Sequence, residues 1–323
     1  MMISIIIRTL NEAEFLGDLL AMIARQRLPE GVGAEVVLVD SGSTDGTLGI
    51  ARRAGARITT IDKAEFSFGR SLNRGCAAAK GAILVFISGH CVPVNEDWLA
   101  QLTAPVAEGR VGYAYGRQVG DDDSNYSERR IFAKYFPDRS RIPQQGFFVN
   151  NANAALARAL WERHPFDEDL TGLEDMALGK ALQAEGHALG YVAEAPVFHH
   201  HRESWAQVRR RFEREAIALQ RIMPEVTLSR ADVLRYVVSS VWMDWQSAWR
   251  NQSLGAGWWR ILRYRLAQYT GSRAGNNDHR RLSRARKDSF FYPSVPESET
   301  VDAWLRPNRR PAAHEGEQPA GKG

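Results

Sequence analysis

Cysteine is nearly absent, with Cys76 and Cys91 the only two in 323 residues. A disulfide framework is excluded, and so is a thiolate zinc site, because no CxxC pair occurs. This scarcity fits a reducing compartment. Long apolar runs are missing too. No stretch of about 18 or more apolar residues occurs, so no membrane-crossing helix is expected. The opening residues, MMISIIIRTLNE, lack the basic start, the longer apolar stretch and the small-residue cleavage site of a secretory leader. A cytoplasmic location is the expectation. No repeat of solenoid period is visible. What is present is ordinary for a globular chain: 44% apolar and 25% charged residues.

Net charge is small, at a formal +4, but it is unevenly spread. Between Arg250 and Lys287 ten Lys or Arg stand against Asp278 alone, a formal +9, which leaves −5 for the rest. A slightly acidic body thus carries a strongly basic late segment. That asymmetry points to an anionic partner.

Short β-branched runs at residues 3–7, 36–39, 57–61 and 83–87 read as buried strands. Helical spacing between them predicts helices over 11–27, to about Ala54, over 71–80 and from Asn95. Alternation with short links is the α/β doubly wound pattern, whose ligands sit beyond the carboxyl ends of the strands. Two such ends carry polar loops, at Asp40–Asp45 and Ser88–His90, which should line one crevice. Residues 121–141 are polar and read as a loop. Residues 147–157 regain strand character, 173–185 read as a helix, and 191–198 form a last strand running into His199-His200-His201. The body is expected to span 1–224.

Residues 225–305 are different. Leu234, Val238, Trp242, Trp245 and Trp249 fall on one helical face, and five of the nine tryptophans lie between Trp242 and Trp259. A second helical stretch interleaves Trp258, Trp259, Ile261 and Tyr264 with Arg260, Arg263 and Arg265. Residues 306–323 have no core formers and are expected to be disordered. Aromatic rings with interspersed arginine suit an anionic membrane surface through 234–287. Packing on the body, or a homodimer, would use the same tryptophans. No nucleic-acid motif accompanies the charge, so no nucleic-acid partner is expected.

Ile5-Ile6-Ile7-Arg8-Thr9-Leu10-Asn11-Glu12, followed by Val39-Asp40-Ser41-Gly42-Ser43-Thr44-Asp45-Gly46-Thr47, resembles the opening of family 2 glycosyltransferases. Phe66-Ser67-Phe68-Gly69-Arg70 with Asn73 and Gly75 is similar to a segment of rhamnosyltransferase-like members. Gly172-Leu173-Glu174-Asp175 resembles the family's acidic acceptor motif, and Val197-Phe198-His199-His200-His201 its terminal histidine motif. The resemblance covers about residues 3–220. It implies the GT-A fold: an α/β, Rossmann-like, mostly parallel sheet with helices on both faces, here followed by a helical appendage. It also implies an inverting transferase in cell-surface polysaccharide synthesis, using a nucleotide-sugar donor and a glycan or lipid-linked acceptor, placed peripherally on the inner face of the plasma membrane.

The site residues follow by position. Asp40 can accept from a base or ribose, Ser43 and Thr44 can cap the next helix, and Asp45 can hold the loop. Thr9, Asn11 and Glu12 would flank the nucleotide, and Asn73 would join them. Arg8 stands where the family usually has proline. Ser88-Gly89-His90 replaces the family's Asp-x-Asp pair. His90 could ligate a divalent cation (Mn²⁺, or Mg²⁺ less comfortably) with His199 and His201, could touch the phosphates directly, or could be structural. Asp175 is the expected general base with Glu174 beside it, although an acidic pair also suits any helix N-terminus. Arg209, Arg210 and Arg211 could neutralise a leaving diphosphate or form a solvated face. Asn151 is the acceptor-side candidate. Loss of the Asp-x-Asp also admits a catalytically silent GT-A scaffold.

Overall fold

Ile3, Ile5, Ile6 and Ile7 are all fully buried, which requires cover on both faces of the strand they form. That strand, β1 (Met2–Thr9), lies inside the parallel half of the sheet. The computed structural model describes residues 1–276 apart from 122 and 254, so the late basic residues 277–287 and the expected tail 306–323 lie outside the described residues.

The chain continues through α1 (Ala13–Ala24), β2 (Gly33–Asp40), α2 (Thr47–Arg53), β3 (Arg57–Thr60), α3 (Phe68–Ala78) and β4 (Ile83–Ser88). Next come β5 (Cys91–Pro93), α4 (Trp98–Ala107), β6 (Tyr113–Val119), α5 (Tyr126–Tyr135), β7 (Asn153–Ala157) and α6 (Arg158–Arg163). The rest is α7 (Glu174–Ala184), β8 (Leu189–His199), α8 (Trp205–Ile222), α9 (Arg230–Arg250) and α10 (Trp258–Gly275). The strands form one sheet in the order β3-β2-β1-β4-β7-β6-β8-β5. Strands β1 to β4 pair in parallel. Strand β7 runs antiparallel to both β4 and β6, and β6 and β8 pair in parallel. The carboxyl ends of β1, β2, β4, β6 and β8 therefore share one edge, where β7 begins. Ile3, Ile5 and Ile7 pack with Leu16, Leu19, Trp98 and Leu102 on one face, and Ile6 packs with Leu72, Cys76 and Leu182 on the other. Both faces are covered by helices, as expected.

The stretch 121–141 is not a continuous loop. It contains α5, whose Ser127, Glu128, Arg130 and Phe132 are buried. Its charges looked solvated in sequence, but they are paired inside the protein. Residues 147–157 are a strand only from Asn153. Before it, backbone groups are met by side chains instead of by a ladder: the Asn151 amide donates to Asp175 Oδ2 and the Ala152 amide to Asn150 Oδ1. Strand β6 escaped the sequence reading because Gly116, Arg117 and Gln118 interrupt its apolar pattern.

The last three helices are bound tightly to the body. Ser204 with Gln207, and Ser229 with Asp232, form capping boxes that start α8 and α9. Helix α10 lies against α8 so closely that a Cβ at Gly271 or Gly275 would collide with the carbonyl oxygens of Arg209 and Glu213. The fully buried Asp244 of α9 receives Arg265 of α10 at 2.8 Å and Arg130 of α5 at 2.8 Å. Two buried cations thus depend on one carboxylate. Asp244→Ala strands both and should lower stability by about 3–5 kcal/mol, read as a shifted urea midpoint. An unchanged midpoint would show that water reaches these arginines.

Candidate active site

Thr9 and Asp40 are register partners at the ends of β1 and β2. The Asp40 carboxylate accepts from Thr9 Oγ1 (3.2 Å), Ser43 Oγ (2.5 Å) and the backbone amides of Gly42 and Ser43 (2.9 Å each). Asp40 is thus the internal brace of its loop. Asn11, in a left-handed turn at φ 57°, accepts the Thr44 amide at 2.8 Å and donates its own backbone amide to Ser43 Oγ. Ser43 and Thr44 therefore tie two loops together and do not cap α2. Asp45 supplies that function by accepting the Thr47 amide at 2.9 Å, while its other oxygen holds the Ala13 amide. Asn73 is saturated: its amide nitrogen reaches Phe166 O and Glu168 Oε1, and its oxygen accepts from Trp161 and Phe166. It anchors α3 and keeps no hydrogen-bonding capacity for a ligand.

The turn after β4 needs glycine. A Cβ at Gly89 would lie 2.8 Å from the Glu12 side chain and 3.1 Å from Arg8 O and Thr9. This close approach brings His90 to Glu12, with Nδ1 and Oε1 2.8 Å apart. Ser88 stays half-buried beside it. His199 Nδ1 is 2.7 Å from Gln118 Oε1, and His201 Nδ1 is 2.8 Å from Glu128 Oε1. All three imidazoles are therefore anchored through Nδ1. Carboxylates accept when ionised, so Nδ1 donates and Nε2 carries a bare lone pair. The Nε2 atoms of His90 and His199 face each other at 3.1 Å. Two lone pairs at that distance repel unless a cation or proton lies between them. The three side chains form a cluster whose ligand atoms lie within 4.8 Å of one another. Burial and neighbouring positive groups push His199 and His201 well below the usual imidazole range, leaving both neutral at pH 7. Neutral imidazoles oriented by outer acceptors are what a borderline divalent cation requires. His200 points elsewhere, to Asp121 at 2.6 Å, and stacks on Phe15.

On the other side of the crevice, α7 begins at Glu174 after Leu173 adopts a left-handed cap. Asp175 accepts the backbone amides of Asn151 and Met176, each at 2.8 Å. Burial, and then the Glu174 charge, raise its proton affinity, pushing the pKa up to about 7 against the pull of those amides and of Arg8. The Asn151 oxygen accepts from Tyr113 at 2.5 Å, while its buried amide nitrogen has no partner among the described residues. Arg8 joins the halves. It neighbours Ser88 across β1 and β4, and its guanidinium lies 3.6 Å from Glu174 and over the ring of Phe68. Arg214 lies over the same ring at 4.4 Å.

Sequence reasoning brought together the histidines and the acidic pair. It missed the groups that orient them: Gln118, Glu128 and the Arg8–Phe68–Arg214 stack. The departure from proline at Arg8 was the one available signal. Arg211 is committed to Glu128 and Glu203, each at 2.8 Å, while Arg209 pairs with Glu213 on the surface.

This architecture is the GT-A fold. A mannosyltransferase from Pyrobaculum calidifontis, solved with GDP-Man and Mn²⁺, superposes with a TM-score of 0.59 at 18% identity, over 83% of this chain and 85% of that one. Glucosyl-3-phosphoglycerate synthase from Mycobacterium tuberculosis, solved with Mn²⁺, UDP-glucose and phosphoglyceric acid, matches at 0.51 and 22%, over 71% and 83%. The profile of Glycosyl transferase family 2 matches residues 4–164, and the domain built on them belongs to that family. Among curated relatives, the O-antigen chain rhamnosyltransferase WbaN of Salmonella anatum is 28% identical over 52% of this chain and 57% of its own length. The rhamnosyltransferase RfbN of Salmonella typhimurium is 26% identical over 62% and 67%. The chain thus spans little more than half of the first and two thirds of the second.

Glu128→Gln should reduce Mn²⁺ or Co²⁺ affinity by about 10–100-fold by calorimetry, since an amide fixes the His201 tautomer poorly. Equal affinity would mean that His201 is not a ligand.

Proposed function

We propose that the chain is an inverting glycosyltransferase that moves a sugar, of deoxyhexose type by analogy with the Salmonella relatives, from a nucleotide-sugar donor to a cell-surface glycan precursor. The observation that carries this reading is the buried Asp175, held by two backbone amides and next to Glu174, which Arg8 meets from the strand paired with Ser88.

The nucleotide lies against the braced loops of Thr9, Asn11 and Asp40–Asp45. His90, His199 and His201 would hold a divalent cation. Three imidazoles favour Mn²⁺ or a later first-row ion over Mg²⁺. When bound, such an ion supplies positive charge to the donor diphosphate. Asp175 accepts the proton of the acceptor hydroxyl as its oxygen bonds to the anomeric carbon. The bond from that carbon to the diphosphate breaks with its electron pair leaving on the phosphate, so the configuration inverts. The unpartnered Asn151 amide nitrogen can donate to a sugar hydroxyl. Arg8 keeps Glu174 ionically matched and restrains the rise in the Asp175 pKa.

A carboxyl group raised to about 7 is mostly protonated, and so inactive as a base, below that pH. Transfer should therefore rise with pH through about 7 and level off above it. Asp175→Asn should cost about 100-fold or more in kcat with donor binding retained, measured by nucleoside diphosphate release. Full turnover in this variant would remove Asp175 from the chemistry.

The same reading places the protein on the cytoplasmic face of an anionic membrane. No helix among the described residues is long and apolar enough to cross one. Helix α9 nevertheless turns Leu234, Val238, Trp242 and Trp249 outward, with Trp249 74% exposed. Trp258 and Trp259 continue the apolar surface, and the exposed Arg250 and Arg260 flank it. Such basic residues contribute about 1 kcal/mol each toward anionic lipid. Vesicles of phosphatidylglycerol should sediment the protein, and Trp242→Ser with Trp249→Ser should release it. Binding that ignores both substitutions would place the contact elsewhere.

A further inference from the structure

An open cleft of about 510 Å³ adjoins the histidine cluster. Its walls come from three places: the segment after β6 leading into α5, the segment after β8, and the turn between α9 and the start of α10. Strands β6 and β8 run parallel, and both end at the same edge as β4. The cleft therefore opens beside the histidine cluster, with Arg202 on its wall reaching Glu14 at the start of α1. His201 belongs to both, lining the cleft while its Nε2 joins the cluster.

Arg129, Arg202 and Arg260, from three separate elements, line the cleft. The two acidic residues on its wall are already engaged. Glu203 pairs with Arg211 at 2.8 Å, while Arg202 is itself shared between Glu14 at 2.5 Å and Asp123 at 3.6 Å and lies over the Phe15 ring. Arg260 is exposed and has no ionic partner among the described residues. The volume suits a small ligand of several polar groups rather than a single ion. At the mouth, Gly257 and Arg260 bracket the exposed Trp258 and Trp259, which begin the apolar surface of α9 and α10.

We propose that this cleft binds the phosphate or diphosphate ester of the acceptor, in an inference that rests on the transferase reading above. Planar guanidinium groups recognise phosphate oxygens through paired charge-assisted hydrogen bonds. A phosphate seated there has the histidine cluster on its inner side and the tryptophan surface on its outer side. A sugar attached to it extends toward the crevice, and a hydrocarbon chain extends onto the apolar face. The phosphate has two sources, a lipid diphosphate headgroup or a water-soluble sugar phosphate.

Calorimetry on the full chain with farnesyl diphosphate, glucose 1-phosphate and farnesol separates them. Binding of either phosphate compound that weakens about tenfold or more in Arg260→Glu and Arg202→Gln, but not in Arg209→Gln at a surface arginine outside the cleft, is the expected result. Farnesyl diphosphate alone binding in this way assigns the lipid source, and glucose 1-phosphate binding equally well assigns the soluble one. The proposal is overturned if neither phosphate binds, if both arginine variants bind like the unaltered chain, or if farnesol binds as tightly as its diphosphate. The readout is binding without donor. A failure of turnover would therefore sink the transferase reading, whereas arginine-independent binding would sink this one.

Discussion

One buried carboxylate, Glu128, connects parts of the chain that are far apart in sequence. Its Oε1 meets His201 Nδ1 and an Arg211 guanidinium nitrogen at 2.8 Å, and the Tyr264 hydroxyl at 3.3 Å. Those partners belong to the segment after β8, to α8 and to α10. Burial raises the proton affinity of Glu128, and Arg211 opposes the rise. Removing this carboxylate would leave a buried cation short of a partner and a histidine without an orienting acceptor, which is the costly way to break a buried ionic contact. The geometry of the histidine cluster thus depends on helices that share no strand with it.

Much of the fold was legible because the relevant signals are local. The β-branched runs of β1, β2 and β4 state their burial on both faces outright, and the polar loops after β2 and β4 mark the crevice. Glu174-Asp175 was legible as the start of a helix, and His199 and His201 as an alternating pair. The illegible parts are those whose character comes from distant partners. Helix α5 reads as a solvated loop until Arg130 meets Asp244 and Glu128 meets Arg211, across more than a hundred residues in the first case. Asn151 looked like part of a strand, but its backbone amide is taken by Asp175. The loop residue Asp40 looked open to ligand, whereas four donors from its own surroundings fill its oxygens.

The two halves of the crevice are built on different physical terms. The side after β1 and β2 is a set of loops stitched by short polar contacts, in which Asn11 holds Ser43 and Thr44, and Asp45 holds Ala13 and Thr47. Ligand there meets a preformed backbone surface. The α7 side concentrates buried charge: a carboxyl group whose ionisation is opposed by burial, and two arginines sharing the Phe68 ring. Low dielectric makes every charge change on that side large in energy. Arg8, substituting for the family's usual proline, is the one side chain that belongs to both.

The glycines of α10 give this arrangement a mechanical side. Gly271 and Gly275 let α10 rest directly on the backbone of α8, and the same helix carries Tyr264 to Glu128 and Arg260 to the cleft. A single methyl group at either glycine would pry the two helices apart like a wedge. The lever arm runs from that wedge through Tyr264 and Glu128 to the ring of His201. A change in bulk on a face remote from the crevice would thus bear on the side chains that orient His201.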